Sequence, residues 1–450
     1  MSDDAFSSIA ELGAKLRART LTAVQLAELY LARIERLQPK LNAFITVTAD
    51  LARSEAKRAD AELAGGRDRG PLHGIPYGLK DLVDTAGIPT TWGCKATVNR
   101  IPERDGAVVA KLREAGAVLL GKLSMTELAN ALGNVYTSDN HNGPCRNPWD
   151  VTRWAGGSSS GAGSAVAAGM CAFAIGSETW GSIDCPAAYC GITGFRPTFG
   201  TIDATGALLI CPTLDKLGPL ARSAADAAVV LTAVAGSPIE PAPQRPLRVG
   251  VATPPSGPPG YARAFADVIA ALSGSVQLAG VVLPDRPVVA TTAVILYAEI
   301  FGALAGFIQS GGVERLYDRE PWDTKWAAYI SLGFRGDDYV KAAYVRAAIQ
   351  RDYRALFEHH DVILTGGRPV IASVIDHPET EAVDAGNTDV INAVGNLIGL
   401  PALTAPIGFS ERMPISLHAV AAPYEDAKLL AFGELVQRQT RHHLQRPPVD

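Results

Sequence analysis

Residues 153–198 constrain this chain more than any other stretch. They carry three consecutive serines, Ser158, Ser159 and Ser160, and crowd glycine and alanine around two turns; a fourth serine, Ser182, follows in the second turn. Small residues at that density cost backbone entropy, so a chain uses them where side chains would obstruct a close approach. Such a segment suits a serine nucleophile ringed by backbone N–H groups.

Composition narrows what surrounds it. With 450 residues, 47% of them hydrophobic, the chain can bury a large core. Net charge is −5, and no run of Lys and Arg supplies the basic face that a nucleic-acid partner needs. No basic stretch followed by an apolar one opens the sequence, and residues 162–175 are too short and too rich in Gly and Ala to span a bilayer. A soluble, cytoplasmic protein without membrane association is expected. The six cysteines form no CxxC pair and the histidines no HExxH, so neither a metal site nor an organic cofactor is expected, only reduced and partly buried thiols.

Thr22–Gln25 fits a capping box that opens a helix, and a second helix is expected over 49–63, stopped by Gly65-Gly66. Pro76 and Gly78 break helical continuity, which puts Lys80 on a short strand or just after one. The apolar neighbours Ile75, Tyr77, Leu79, Leu82 and Val83 would bury its amine and lower its pKa toward that of a usable base. A helix over 107–115, a strand over 117–121 and a helix over 124–132 follow, then a polar loop over 133–154. Further on come a helix over 223–235, strands over 247–252, 361–365 and 415–420, and a closing helix over 427–440. The alternation predicts an α/β fold: a mixed, largely parallel central sheet covered by helices on both faces, in one domain. Residues 297–357 hold twelve of the thirty aromatics. The surrounding stretch, about 287–357, is expected to be a helical excursion, either ordinary core or a lid over an active site.

Gly157-Ser-Ser-Ser-Gly161 matches GxSxG with Ser159 at its centre, the elbow of an α/β-hydrolase-type esterase, but no apolar strand precedes it. A dinucleotide fingerprint fails too, because Val166 stands where Gly or Ala is needed. Ser182 gives a better arrangement. It follows Gly181 in a turn after an apolar segment, and the N–H groups of Thr179, Trp180, Gly181 and Ser182 could converge on a developing oxyanion. A neutral Lys80 acting through Ser158 would serve as its base without a histidine.

With these pieces the chain resembles the amidase signature family of serine hydrolases. The matching motifs are His73-Gly-Ile-Pro76 with Lys80-Asp81, Gly156-Gly-Ser-Ser-Ser-Gly161, Gly181-Ser-Ile183 with Pro186-Ala187, Cys190-Gly-Ile-Thr-Gly-Phe-Arg-Pro197-Thr198, Leu214-Asp-Lys-Leu-Gly-Pro219 and Gly399-Leu-Pro-Ala402. The resemblance implies Lys80 as base, Ser158 on a cis peptide as bridge, and Ser182 as nucleophile of an acyl-enzyme. It implies hydrolysis of amides or related acyl bonds, including esters and carbamates, the last a urethanase activity.

Two departures bear on substrate. Trp180 replaces a family glycine, and Asp184 stands where many relatives carry Arg, which disfavours carboxylate-bearing substrates. Gly133, Asn134, Tyr136, Trp180 and Asp184 are the candidate pocket residues. The partner expected is a small-molecule amide, ester or carbamate, preferably bulky and apolar, and a homodimer stays open. The competing function within the family is that of an A-type amidotransferase component, which works on glutaminyl-tRNA with partner chains.

Overall fold

The computed structural model describes residues 2–132, 140–239, 242–254, 256–316, 333, 335–375 and 390–449. Eleven strands form one sheet: β1 Phe44–Val47, β2 Pro76–Lys80, β3 Val118–Leu123, β4 Phe173–Glu178, β5 Thr193–Arg196, β6 Lys216–Ala221, β7 Arg248–Val251, β8 Gln277–Gly280, β9 Val362–Gly366, β10 Ala402–Ser410 and β11 Met413–Ala421, in the order β1-β3-β2-β4-β6-β5-β10-β11-β9-β7-β8. Every residue of β2, β3, β5, β6, β9 and β11 is buried, which requires cover on both faces.

The sheet is mixed as expected but less parallel than expected. β2 runs parallel to β3 and β4, and β7 to β8 and β9; the other six pairings among the described residues are antiparallel. One of these pairings is set by a tight connection. Glu411 and Arg412, at φ 50° and 68°, close a two-residue hairpin between β10 and β11, a loop too short for a parallel crossover.

The first helices follow their sequence signals. In Ala23–Leu41, Gln25 N–H donates to Thr22 Oγ1 at 3.0 Å while Thr22 N–H donates to Gln25 Oε1 at 2.9 Å. Ala49–Ala64 ends at Gly65, and Gly66 follows at φ 83°. The helix expected over 124–132 is absent. Only a 3-10 turn, Glu127–Asn130, forms there, with Leu128 and Ala129 left-handed. Its backbone is taken by distant partners: Thr126 N–H donates to the Ser158 carbonyl and Leu128 N–H to that of Trp92.

The excursion contains two long helices, Val288–Gln309 and Gly336–His359; residues 317–332 and 334 lie outside the described residues. Val288–Gln309 is long and apolar enough to cross a bilayer, with mean hydropathy 1.9, a feature the sequence reading passed over. Its buried residues join protein clusters, Val288 and Ile295 with Leu214 and Leu397, and Ile300 and Leu304 with Leu132 and Ile210. All six cysteines are free and buried.

Candidate active site

Lys80 is the last residue of β2, between β3 and β4, and is fully buried. Opposite it, the Gly157–Ser158 peptide bond is cis and leads into the helix Ser160–Ala167. The glycines of that helix are needed for close contact. A Cβ on Gly161 would lie 2.2 Å from the Ala43 carbonyl oxygen, and one on Gly163 would lie 2.8 Å from that of Pro186. Backbone thus packs on backbone, which holds the serine turn against the helix Asp184–Cys190 that follows Ser182.

These elements bring the three expected residues together. Lys80 Nζ lies 2.7 Å from Ser158 Oγ, and Ser158 Oγ donates to Ser182 Oγ at 2.9 Å. Lys80 Nζ also lies 2.9 Å from Ser177 Oγ, a contact that sequence reading missed although Ser177 belongs to the same motif. Burial pushes the Lys80 amine down to about 7; the negative charges of Asp215 and Glu178 oppose the shift only partly.

The turn that carries Ser182 is tied from below by Glu178. One carboxylate oxygen accepts the N–H groups of Ile183 at 2.7 Å and Asp184 at 2.9 Å; the other accepts from Arg196 Nη1 at 2.5 Å and Asn396 Nδ2 at 2.8 Å. Burial alone would raise the Glu178 pKa, but the Arg196 charge and the Asp184 N–H outweigh it and hold the carboxyl well below its usual range. Among the described residues, no backbone hydrogen bond is donated by Trp180, Gly181 or Ser182. Their N–H groups lie beside the Ser182 hydroxyl without a backbone acceptor.

Ser159 is not a nucleophile elbow. It is buried, its hydroxyl donates to the Ser177 carbonyl at 3.1 Å and accepts the Ser177 N–H at 3.3 Å, and no strand precedes it. Of the candidate pocket residues, Gly133, Asn134 and Tyr136 lie outside the described residues. Trp180 is half-buried and packs against the cluster that holds Cys211, Leu214, Val288 and Ile295, so the excursion meets the Ser182 turn through its indole. Asp184 does not face an open pocket. Its buried carboxylate accepts from Thr404 Oγ1, lies 3.0 Å from His418 Nδ1, and receives Asn392 Nδ2 at 3.5 Å. Arg368 Nε stands 3.4 Å from its other oxygen. Local sequence carried no signal for Arg368, Asn392 or Asn396, which reach this site from far along the chain.

Comparison with known proteins agrees with this geometry. Residues 25–430 match the family profile described as Amidase. The chain is 36% identical to the A component of the glutamyl-tRNA(Gln) amidotransferase of Aromatoleum aromaticum and 35% identical to that of Roseiflexus castenholzii, over 98% of this chain and 99% and 97% of theirs. It also resembles the solved peptide amidase of Stenotrophomonas maltophilia, with a TM-score of 0.83 and 29% identity over 98% of each chain. A crystal structure described as an amidase superposes with a TM-score of 0.87 at 29% identity, over 96% of this chain and all of that one.

Proposed function

The chain belongs to the amidase family and is a C–N bond-cleaving enzyme of that family, and on that premise we propose that Lys80, Ser158 and Ser182 form one proton relay that makes Ser182 the nucleophile. The observation that carries this is the unbroken line from Lys80 Nζ through Ser158 Oγ to Ser182 Oγ, at 2.7 and 2.9 Å. In the neutral form, Lys80 takes the Ser158 proton as Ser158 takes that of Ser182. Ser182 Oγ then bonds to the acyl carbon, and the carbonyl electrons move onto oxygen. N–H groups from Thr179 to Ser182 hold that charge. Collapse breaks the C–N bond as the proton returns through Ser158 to the departing nitrogen. Water repeats the sequence on the acyl-enzyme and frees the acid.

The substrate of this proposal is a small-molecule amide, ester or carbamate with an apolar part, met in the cytoplasm. Its support is the apolar wall that Trp180, Cys211 and Leu214 make with the excursion helices. The test is a panel of aryl amides, primary amides, p-nitrophenyl esters and aryl carbamates. Ser182→Ala should lower turnover of every one by at least ~10⁴-fold while leaving the fold intact. Turnover that survives the substitution refutes the mechanism, and a profile confined to primary amides refutes the apolar preference.

A second function, that of an A-type amidotransferase component, draws on the 36% identity that runs over 98% of the chain and so includes the C-terminal half. Amide turnover that appears only after partner chains are added would favour it.

A further inference from the structure

Val288–Gln309 carries a single charged residue, Glu299, and its carboxylate meets the turn over 210–215 that leads into β6. A lone carboxylate in so apolar a helix costs solvation unless donors reach it. Four do. One oxygen accepts from the Thr213 N–H at 2.9 Å and Cys211 Sγ at 3.2 Å; the other accepts from Thr213 Oγ1 at 2.6 Å and the Tyr339 hydroxyl at 2.8 Å. Burial alone would raise the Glu299 pKa, but the Thr213 hydroxyl and N–H, with Tyr339 and Cys211, outweigh it and keep the carboxyl ionised at neutral pH. Tyr339 belongs to the second excursion helix, Gly336–His359, which also supplies Arg346. That guanidinium donates to the Thr213 carbonyl at 3.2 Å and to Thr213 Oγ1 at 3.3 Å. Both helices of the excursion thus grip Thr213.

The turn they grip is continuous with the site. Asp215 closes it from inside, one carboxylate oxygen accepting the N–H groups of Ile210 at 2.6 Å and Cys211 at 3.0 Å. Lys216 follows, opposite Glu178 in the sheet, and donates to Asn396 at 2.9 Å, the residue that also holds Glu178. Cys211 and Leu214 pack in one cluster with Trp180. We propose that Glu299 is a positioning residue for the reaction at Ser182: by latching the excursion to the 210–215 turn, it fixes the apolar wall of Cys211, Leu214 and Trp180 and so sets how tightly an apolar substrate group is held. The inference rests on that wall as the place where the substrate's apolar part binds. A substrate too small to reach the wall does not depend on the latch.

Acetamide, benzamide and acetanilide, followed by released ammonia or aniline, test this. The first has no large apolar group, the second carries one on the acyl side, and the third carries one on the leaving side. Glu299→Gln keeps the side chain's size and removes its charge. It should raise KM ~10-fold for whichever aryl amide wild type prefers, with kcat within about threefold, and leave kcat/KM for acetamide within about threefold. Tyr339→Phe removes one donor and leaves the carboxylate in place; it should raise the same KM ~3-fold, and Glu299→Asp should recover part of the loss in Glu299→Gln. An unchanged aryl-amide KM in Glu299→Gln and Tyr339→Phe overturns the inference, as does an equal fall of kcat/KM on all three amides, the mark of a merely structural contact. A wild type with no preference over acetamide refutes the wall and the inference with it. Hydrolysis that survives in Ser182→Ala counts instead against the serine mechanism, so the failures are distinguishable.

Discussion

Lowering the pH from 8 to 6 should cut kcat/KM by a factor that the burial of Lys80 determines. With the amine at about 7, its neutral fraction falls from about nine-tenths to about one-tenth, a loss of roughly tenfold. A lysine at its ordinary value would lose about 100-fold over the same interval. The two cases separate further on the alkaline side. From pH 8 to 9.5 the buried amine is already neutral and the rate is flat, whereas an unshifted lysine would raise it about 30-fold. The assay is kcat/KM for a p-nitroanilide in buffers of constant ionic strength, with circular dichroism at each pH to verify that the fold persists. Since kcat/KM reports the free enzyme, the midpoint belongs to the unliganded site. A rate that keeps climbing through pH 9.5 would refute both the shift and its origin in burial.

Three substitutions extend the reasoning. The Lys80 pKa is about 7 in the folded chain against an ordinary 10.5, so between those values the unfolded chain binds the extra proton, stability rises with pH, and at pH 7 the fold has lost on the order of 5 kcal/mol. Lys80→Met should therefore abolish turnover yet raise Tm at pH 7, with the gain shrinking toward pH 10.5. Glu178→Gln strands a buried Arg196 and should cost about 3–5 kcal/mol in denaturant unfolding, together with most of the activity. Gly161→Ala forces a methyl group against the Ala43 carbonyl oxygen and should cost about 1–3 kcal/mol by the same measurement.

The meeting of Lys80, Ser158 and Ser182 was legible in the sequence because each belongs to a short motif with a fixed spacing. The strand under Lys80 and the capping box at Thr22 were legible for a similar reason, since local sterics and nearby hydrogen bonds specify them. The 3-10 turn at Glu127–Asn130 was not, because residues 124–132 have helical composition and only the pull of Ser158 and Trp92 on their backbone diverts them. The balance of strand directions was hidden likewise, because all but one of the antiparallel pairings join strands separated by long stretches of chain, where packing and not local sequence selects the partner. The surroundings of Asp184 were the least legible of all. They depend on Arg368, Thr404 and His418, all more than a hundred and eighty residues away.

The Glu178 clamp has a consequence for the order in which the enzyme comes into being. The lysine and both serines lie within the first 182 residues, but the ties that shape the Ser182 turn come from Arg196 and Asn396, and those on the next helix from Thr404 and His418. A nascent chain that has not yet emerged past these residues carries all three groups of the relay without the struts that aim them. If the proposed relay acts as described, a chain truncated before Asn396 is expected to show no hydrolysis.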